Sequence, residues 1–292
     1  MSLRDFGRRF YRRLPLLREL GALQGTLPKQ LDGVQRLLQE EHVHRLLQDS
    51  RYAASKRLNR YEHQVFSQNG EDGILREIYR RIEVRDRTFV EIGVGDGQTN
   101  NTTFLLTQGW RGQWIEGSAR SVDAIRRSFR APLADSRLTL AHAEVTAENV
   151  AELLRRAAAP AEPDLFSLDI DRNTWWVLAA ALKAIRPRVL VVEYNATYPA
   201  DVDWVVEYDA NRWWNRTSYF GASLKAFERL GREHRLRLVG CDLTGVNAFF
   251  VRDELAGNHF EDPATAEALY EPARYYLART HGHPPAFSDL TD

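Results

Sequence analysis

One cysteine, Cys241, in 292 residues excludes an intrachain disulfide framework and a cysteine-rich zinc cluster, and it points to a reducing compartment. Cys241 itself reads as a small buried apolar residue. No run of 18 apolar residues occurs, so no transmembrane helix is expected. The N-terminus also lacks the unbroken apolar stretch and small-residue cleavage site of a secretory signal, and the expected location is cytoplasmic. Internal repeats and low-complexity tracts are missing. Net charge is missing too, with 40 basic residues against 40 acidic, but the balance is uneven along the chain. Residues 1–60 carry 13 Lys/Arg and 6 Asp/Glu, leaving an acidic main body that does not suit a nucleic-acid groove.

The length leaves room for one large α/β domain with an extension, and an apolar fraction of 43% supplies a substantial core. Residues 1–60 read as a basic helical arm, and residues 61–292 as the main domain. In the arm, Leu3, Phe6, Phe10, Leu14 and Leu17 recur at helical spacing among Arg4, Arg8, Arg9, Arg12 and Arg13. Pro15 is expected to end or kink that helix. A loop around Gly25 and Pro28 then leads to a second helix with Leu31, Val34, Leu38 and Leu46 as buried positions. Such an arm suits the surface of an anionic membrane, or packing on a partner subunit, including a second copy of the chain, or on its own domain.

From Gln64 onward helices alternate with short apolar strands, the pattern of a parallel sheet covered on both faces. Strands are expected at Thr88 to Val94, Gln113 to Glu116, Leu138 to Val145, Asp164 to Ile170, Val189 to Tyr194, Leu236 to Cys241 and Asn247 to Val251. Only Asp242-Leu243-Thr244-Gly245 separates the last two, too short for a parallel crossover, so they pair antiparallel.

The first strand runs directly into Gly93, Gly95 and Gly97. Glycine allows a sharp bend at a strand end and close passage of a ligand. Glu116 stands about 20 residues further on, where a nucleotide-binding βαβ unit places its acceptor for ribose hydroxyls. That arrangement suits an adenosine cofactor. Polar residues also gather at the other strand ends: Glu91, then His142 and Glu144, Asp169 and Asp171, and Glu193 and Asn195. In an open α/β sheet, ligands bind beyond those ends.

Three segments carry a family resemblance: Phe66-Ser67-Gln68-Asn69-Gly70-Glu71-Asp72; Glu91 to Gly97 with Asn100-Asn101-Thr102, Gly109-Trp110-Arg111-Gly112 and Trp114-Ile115-Glu116; and Leu168-Asp169-Ile170-Asp171 with Val189 to Glu193. Together they resemble the FkbM-like branch of class I S-adenosylmethionine (SAM)-dependent methyltransferases, or a close relative of it, over residues 64 to 255. The resemblance implies a seven-stranded Rossmann-like sheet, parallel with an antiparallel last strand, preceded here by the N-terminal helical extension. It also implies SAM as cofactor. The chain departs from the pattern after Asp171, where Arg172-Asn173-Thr174-Trp175 replaces a glycine and a further acidic residue.

On this reading Glu91, Gly93, Gly95, Gly97, Glu116 and Glu144 bind the cofactor, with Glu144 or His142 flanking the adenine. Asp169, Asp171 and Asn195 are the catalytic candidates. Either Asp169 or Asp171 acts as a general base with Asn195 positioning a hydroxyl, or Asp169, Glu193 and Asn195 hold Mg²⁺ or Ca²⁺. Residues 198–220 form an insertion rich in aromatics (Trp204, Tyr208, Trp213, Trp214, Tyr219, Phe220) beside polar side chains, which suits a sugar ring. Trp175 and Trp176 belong to the same expected wall. The function expected is O-methylation of a sugar hydroxyl on a glycan or glycolipid precursor, as in polysaccharide biosynthesis. The alternatives are a methyltransferase-fold binding module without activity and, third, an NAD-dependent oxidoreductase.

Overall fold

A computed structural model describes residues 15–278, 283 and 285–287, with the side chains of 15–25 and 29 left aside. The chain divides into two units, between Gln48 and Asp49. Residues 49–60, grouped with the arm on composition, pack within the second unit. Tyr52 donates to buried Glu271 at 2.8 Å, Asn59 donates to the carbonyl of Cys241 at 2.8 Å, and Leu58 is fully buried.

In the first unit a single helix, α1 (Pro15–Leu47), runs through Gly25 and Pro28, so the loop expected there does not form. Pro28 removes one backbone donor, and good helix formers on either side carry the helix past it. Pro15 occupies the first helical position, where its missing N–H costs nothing. Leu31, Val34 and Leu38, expected to be buried, are exposed, because among the described residues this unit has no second element to cover them. Leu46 is half-buried. The basic face at Arg4 to Arg13, with Leu3, Phe6, Phe10 and Leu14, lies outside the described residues. No described helix is long and apolar enough to cross a membrane.

The second unit is built on seven strands: β1 (Thr88–Ile92), β2 (Arg111–Glu116), β3 (Leu138–His142), β4 (Leu165–Leu168), β5 (Val189–Glu193), β6 (Leu236–Cys241) and β7 (Asn247–Arg252). Their order is β3-β2-β1-β4-β5-β7-β6. The first five are parallel, and β7 lies antiparallel between β5 and β6. This is the seven-stranded Rossmann-like sheet, parallel with an antiparallel last strand, expected from the sequence. Strand order reverses between β1 and β4, opening a crevice at their C-terminal ends.

All five residues of β1 are buried, as a central strand requires. Val90 and Ile92 face one apolar layer, with α6 (Val150–Arg156), α7 (Thr174–Ala181) and α8 (Leu224–Glu233). Phe89 faces the other, with α2 (Glu71–Ile82), α3 (Thr103–Thr107), α4 (Ala119–Ser128) and the short α5 (Arg130–Ala134). Local chemistry sets the helix starts. The Ser118 and Ser223 hydroxyls accept N–H bonds three residues on and cap α4 and α8. Gly70 opens α2 at φ 96°, with Glu71 and Asp72 in the first turn and Arg80 and Arg81 in the last, matching the helix dipole. Helix α3 starts only at Thr103, because residues 100–102 turn inward to bond Glu91.

Candidate active site

A cleft of about 480 Å³ opens at the strand-order reversal. Along one side it is lined by Gly93, Gly95, Glu116, Ser118 and Glu144, and at the other end by Asp169, Asp171, Asn173, Arg212 and Trp213. A polar recess of about 150 Å³ continues from it past Gly93 and Gly95 to Gln68, Glu71, Glu91, Asn100 and Asn247.

The three glycines prove unlike one another. A Cβ on Gly93 (φ +82°) falls 1.7 Å from the Asp169 carbonyl oxygen, so this glycine is what lets β1 and β4 close together beyond their last pair. A Cβ on Gly97 falls 2.8 Å from the rings of Trp114 and Phe129; this residue serves the core and lines neither cavity, correcting its assignment to the cofactor. Gly95 (φ +57°) faces open space. Its N–H donates to Glu116 Oε2 at 2.8 Å, while Ser118 N–H donates to Glu116 Oε1 at 2.7 Å. The Glu116 carboxylate is thus fixed at the tip of β2 with further lone pairs facing the cleft.

Glu91 lies beneath the loop. Its oxygens accept from Asn100 Nδ2 (2.8 Å), Asn101 N–H (3.0 Å), Thr102 Oγ1 (2.5 Å) and Ser167 Oγ (3.0 Å). Burial outweighs these bonds and pushes Glu91 up to about 7. Glu91 therefore acts mainly as the anchor of the loop, although it also lines the recess. Glu144 is an exposed part of the cleft wall, whereas the His142 ring is occupied with the Gly117 carbonyl at 3.0 Å and does not line the cleft.

At the other end, Asp169, Asp171 and Glu193 bring carboxylate oxygens within 4.8 Å of one another. Asp169 is open to the cleft mouth, yet enclosure by protein and then the charge of Asp171 push it up to about 6. Glu193 is raised well above the ordinary carboxylate range by burial and by Asp169 and Asp171, and it donates a hydrogen bond to Asp169. Its Oε2 is buried without a partner. Asp171 is raised by burial. Asn195 does not join this group. It is fully buried, its Nδ2 donates to the carbonyls of Ser218 (2.8 Å) and Phe220 (2.9 Å), and its Oδ1 accepts from Thr197 N–H (3.1 Å). Every polar atom is engaged in holding the insertion, which places Asn195 outside both the catalytic and the cation roles expected for it.

Among the insertion's aromatics only Trp213, 67% exposed, lines the cleft. Tyr198 and Trp204 stack at 4.2 Å and Tyr219 meets Trp204 at 5.6 Å. Trp176 and Tyr208 fasten the segment to the domain through Val206 O and Glu148. Trp175 bonds Ala226 O. Trp175 and Trp176 thus hold neighbouring elements in place without lining the cleft.

Gln68, Glu71, Asn100 and Asn247 were not singled out from sequence as site residues. The acidic pair at the start of α2 was the available signal. Asp72 Oδ2 collects the N–H groups of Val65, Phe66 and Ser67 at 2.8, 2.8 and 2.9 Å, and Glu71 binds Asn69 and Asn247. Glu71 is thereby carried to the recess.

No family model and no curated protein match the chain. Solved structures do resemble it. One is an O-methyltransferase family protein from Burkholderia thailandensis, with 13% identity and a TM-score of 0.39 over 61% of this chain and 55% of that one. Another is the O-methyltransferase from Bacillus cereus in complex with SAH, with 14% identity and a TM-score of 0.39 over 75% and 90%. The N-terminal domain of EvdMO1 with SAH bound gives 13% and 0.40 over 65% and 80%. The chain spans about half the length of several of the structures it matches, the Burkholderia protein among them. Likenesses of this degree assign no role to any residue.

Proposed function

We propose that the protein is a SAM-dependent O-methyltransferase acting on a sugar hydroxyl of a glycan or glycolipid precursor. The observation that carries this reading is the division of labour in the glycine loop. Gly93 and Gly97 are needed by the protein's own packing, whereas Gly95 faces open cleft beside a carboxylate fixed on the neighbouring strand. Glu116 accepts the ribose hydroxyls there. The recess ringed by Gln68, Glu71, Asn100 and Asn247 takes the polar amino-acid end, whose ammonium suits a carboxylate-lined pocket. When bound, the cofactor supplies an electrophilic methyl group on a sulfonium.

The protein's part is to align the acceptor, exclude water and take the hydroxyl proton. Asp169 serves as base, and Glu193 keeps its own proton and orients the Asp169 carboxylate by hydrogen bonding to it. Trp213 offers the exposed flat face on which a sugar ring stacks. A second reading of the acidic end is favoured by the unpartnered Glu193 Oε2: Asp169, Asp171 and Glu193 form a hard oxygen set that fits a divalent cation such as Mg²⁺, without Asn195. Arg172, the departure from the family pattern that would favour a binding module without activity, does not line the cleft. The protein is expected to work in the cytoplasm, with the basic arm meeting a membrane surface or a second copy.

Calorimetry with S-adenosylhomocysteine tests the proposal: saturable binding is expected, abolished by Gly95→Arg, and no heat at about millimolar ligand rejects it. Turnover that survives EDTA removes the cation reading.

A further inference from the structure

Asp171 adopts φ +60°, and the chain then carries Arg172 out of the cleft lining and, with Asn173, which still lines the cleft, against the insertion. Arg172 is 6% exposed. Its Nη2 donates to the Glu207 carbonyl at 3.1 Å, its guanidinium carbon lies 5.2 Å from the Tyr219 ring centre, and its own carbonyl accepts from Gly221 N–H at 3.0 Å. Asn173 Nδ2 donates to the Asp209 carbonyl at 2.9 Å. One short segment therefore grips both arms of residues 207–221. Between the gripped ends lie Ala210, Arg212 and Trp213, the part of the insertion that lines the cleft beside Asp169 and Asp171.

We propose that Arg172 is a positioning residue that sets the wall formed by Arg212 and Trp213, and with it the acceptor end of the cleft, while leaving the end at Gly95 and Glu116 unaffected. The guanidinium makes two contacts at once, a donor to the Glu207 carbonyl and a cation over the Tyr219 ring. Lysine offers one compact ammonium in place of the broad planar fork, so it is expected to keep at most one of the two contacts. The naming of one end as acceptor rests on the function proposed above; the grip itself does not.

Trypsin provides the probe, because Arg212 and Arg216 are exposed within the insertion, and Arg126 and Arg127 on α4 serve as internal controls. In the full chain, Arg172→Ala is expected to speed cleavage after Arg212 and Arg216 about tenfold or more, with the α4 sites unchanged and the dissociation constant for S-adenosylhomocysteine within about twofold of the parent. Tyr219→Ala is expected to reproduce most of that acceleration and the double variant to add little, whereas Tyr219→Phe and the parent behave alike. Arg172→Lys is expected to stay close to Arg172→Ala. Unchanged cleavage in the insertion, or cleavage and ligand affinity failing together at all sites, overturns the proposal, since a merely structural arginine affects both ends. Should Arg172→Ala not fold, Tyr219→Ala against Tyr219→Phe decides, Tyr219 being partly exposed. A parent that binds no S-adenosylhomocysteine refutes the proposed function, and the cleavage comparison, which needs no ligand, then judges the grip separately.

Discussion

The two ends of the cleft are built by different means. At the β1–β2 end, the shape comes from backbone: a glycine turn, a buried carboxylate tying down residues 100–102, and Glu116 held by two N–H groups. At the β4–β5 end it comes from side chains on a long insertion, held by Arg172, Asn173, Asn195, Trp176 and Tyr208. A backbone-built end tolerates little change and serves a constant ligand. A side-chain-built end can be altered by substitution without disturbing the sheet, which suits the part of a ligand that varies.

The sharpest way to break this comparison is within the glycine loop. Gly93→Ala drives a methyl group into the Asp169 carbonyl and should cost on the order of 4 kcal/mol or more, read as a collapse of the melting temperature or loss of soluble protein. Gly95→Ala meets no atom and incurs only the left-handed backbone penalty of about 1 kcal/mol, so it should fold. If the two variants melt alike, the loop is not divided between packing and ligand as described. Next in size is chemistry at the other end: Asp169→Asn should lower turnover by roughly 10²–10⁴-fold with affinity for S-adenosylhomocysteine nearly unchanged. In the parent, turnover should rise with pH to half its maximum near 6, as Asp169 loses its proton. A flat profile there rejects Asp169 as base. Smaller again, Glu116→Ala should weaken S-adenosylhomocysteine by about 10-fold to 100-fold, read by calorimetry, and leave the tryptic pattern of the insertion unaltered.

How much of this was legible in the sequence follows the same division. The β1–β2 end and the sheet could be read because they depend on local signals: apolar runs, glycines at a strand end, a turn too short for a crossover. Gly97 shows the limit, since whether a missing Cβ admits a ligand or a ring from Trp114 depends on packing that spacing does not encode. Asn195 shows it again. A polar residue just past a strand end looks free to meet a ligand, but its amide is used up by the carbonyls of Ser218 and Phe220, more than twenty residues away. Arg172 looked like damage to a catalytic motif, and only the path of the insertion gives it a partner. In α1 the error ran the other way, with proline and glycine overvalued as breakers and apolar spacing read as burial when, among the described residues, no element of that unit covers it.

The smallest expected effect concerns three acids raised by enclosure, beneath the glycine loop, in the β6–β7 turn and at the acidic end of the cleft. Glu91 and Asp242 are each pushed up to about 7, chiefly by burial, and Asp169 to about 6. An acid whose pKa is higher folded than unfolded binds its proton more tightly in the native state. Its contribution is complete below the unfolded value and is lost as pH rises through the folded one. The acids lowered by surface arginines, such as Glu152 at about 2, act in the opposite sense, but only in more acidic solution. Between about pH 5 and pH 8 the raised group alone sets the slope, so the melting temperature should fall by several degrees across that range. Glu91→Gln should flatten the fall measurably. The amide keeps one acceptor for Asn101 N–H and Ser167, while the Thr102 hydroxyl and the Asn100 amide can reverse to receive its N–H bonds. A melting temperature that rises from about pH 5 to pH 8, or a Glu91→Gln variant with the parent's slope, would show that the carboxylate beneath the glycine loop is charged in the folded protein. The anchor of the loop would then be an ion held by its four donors, and the β1–β2 end would carry a full buried negative charge.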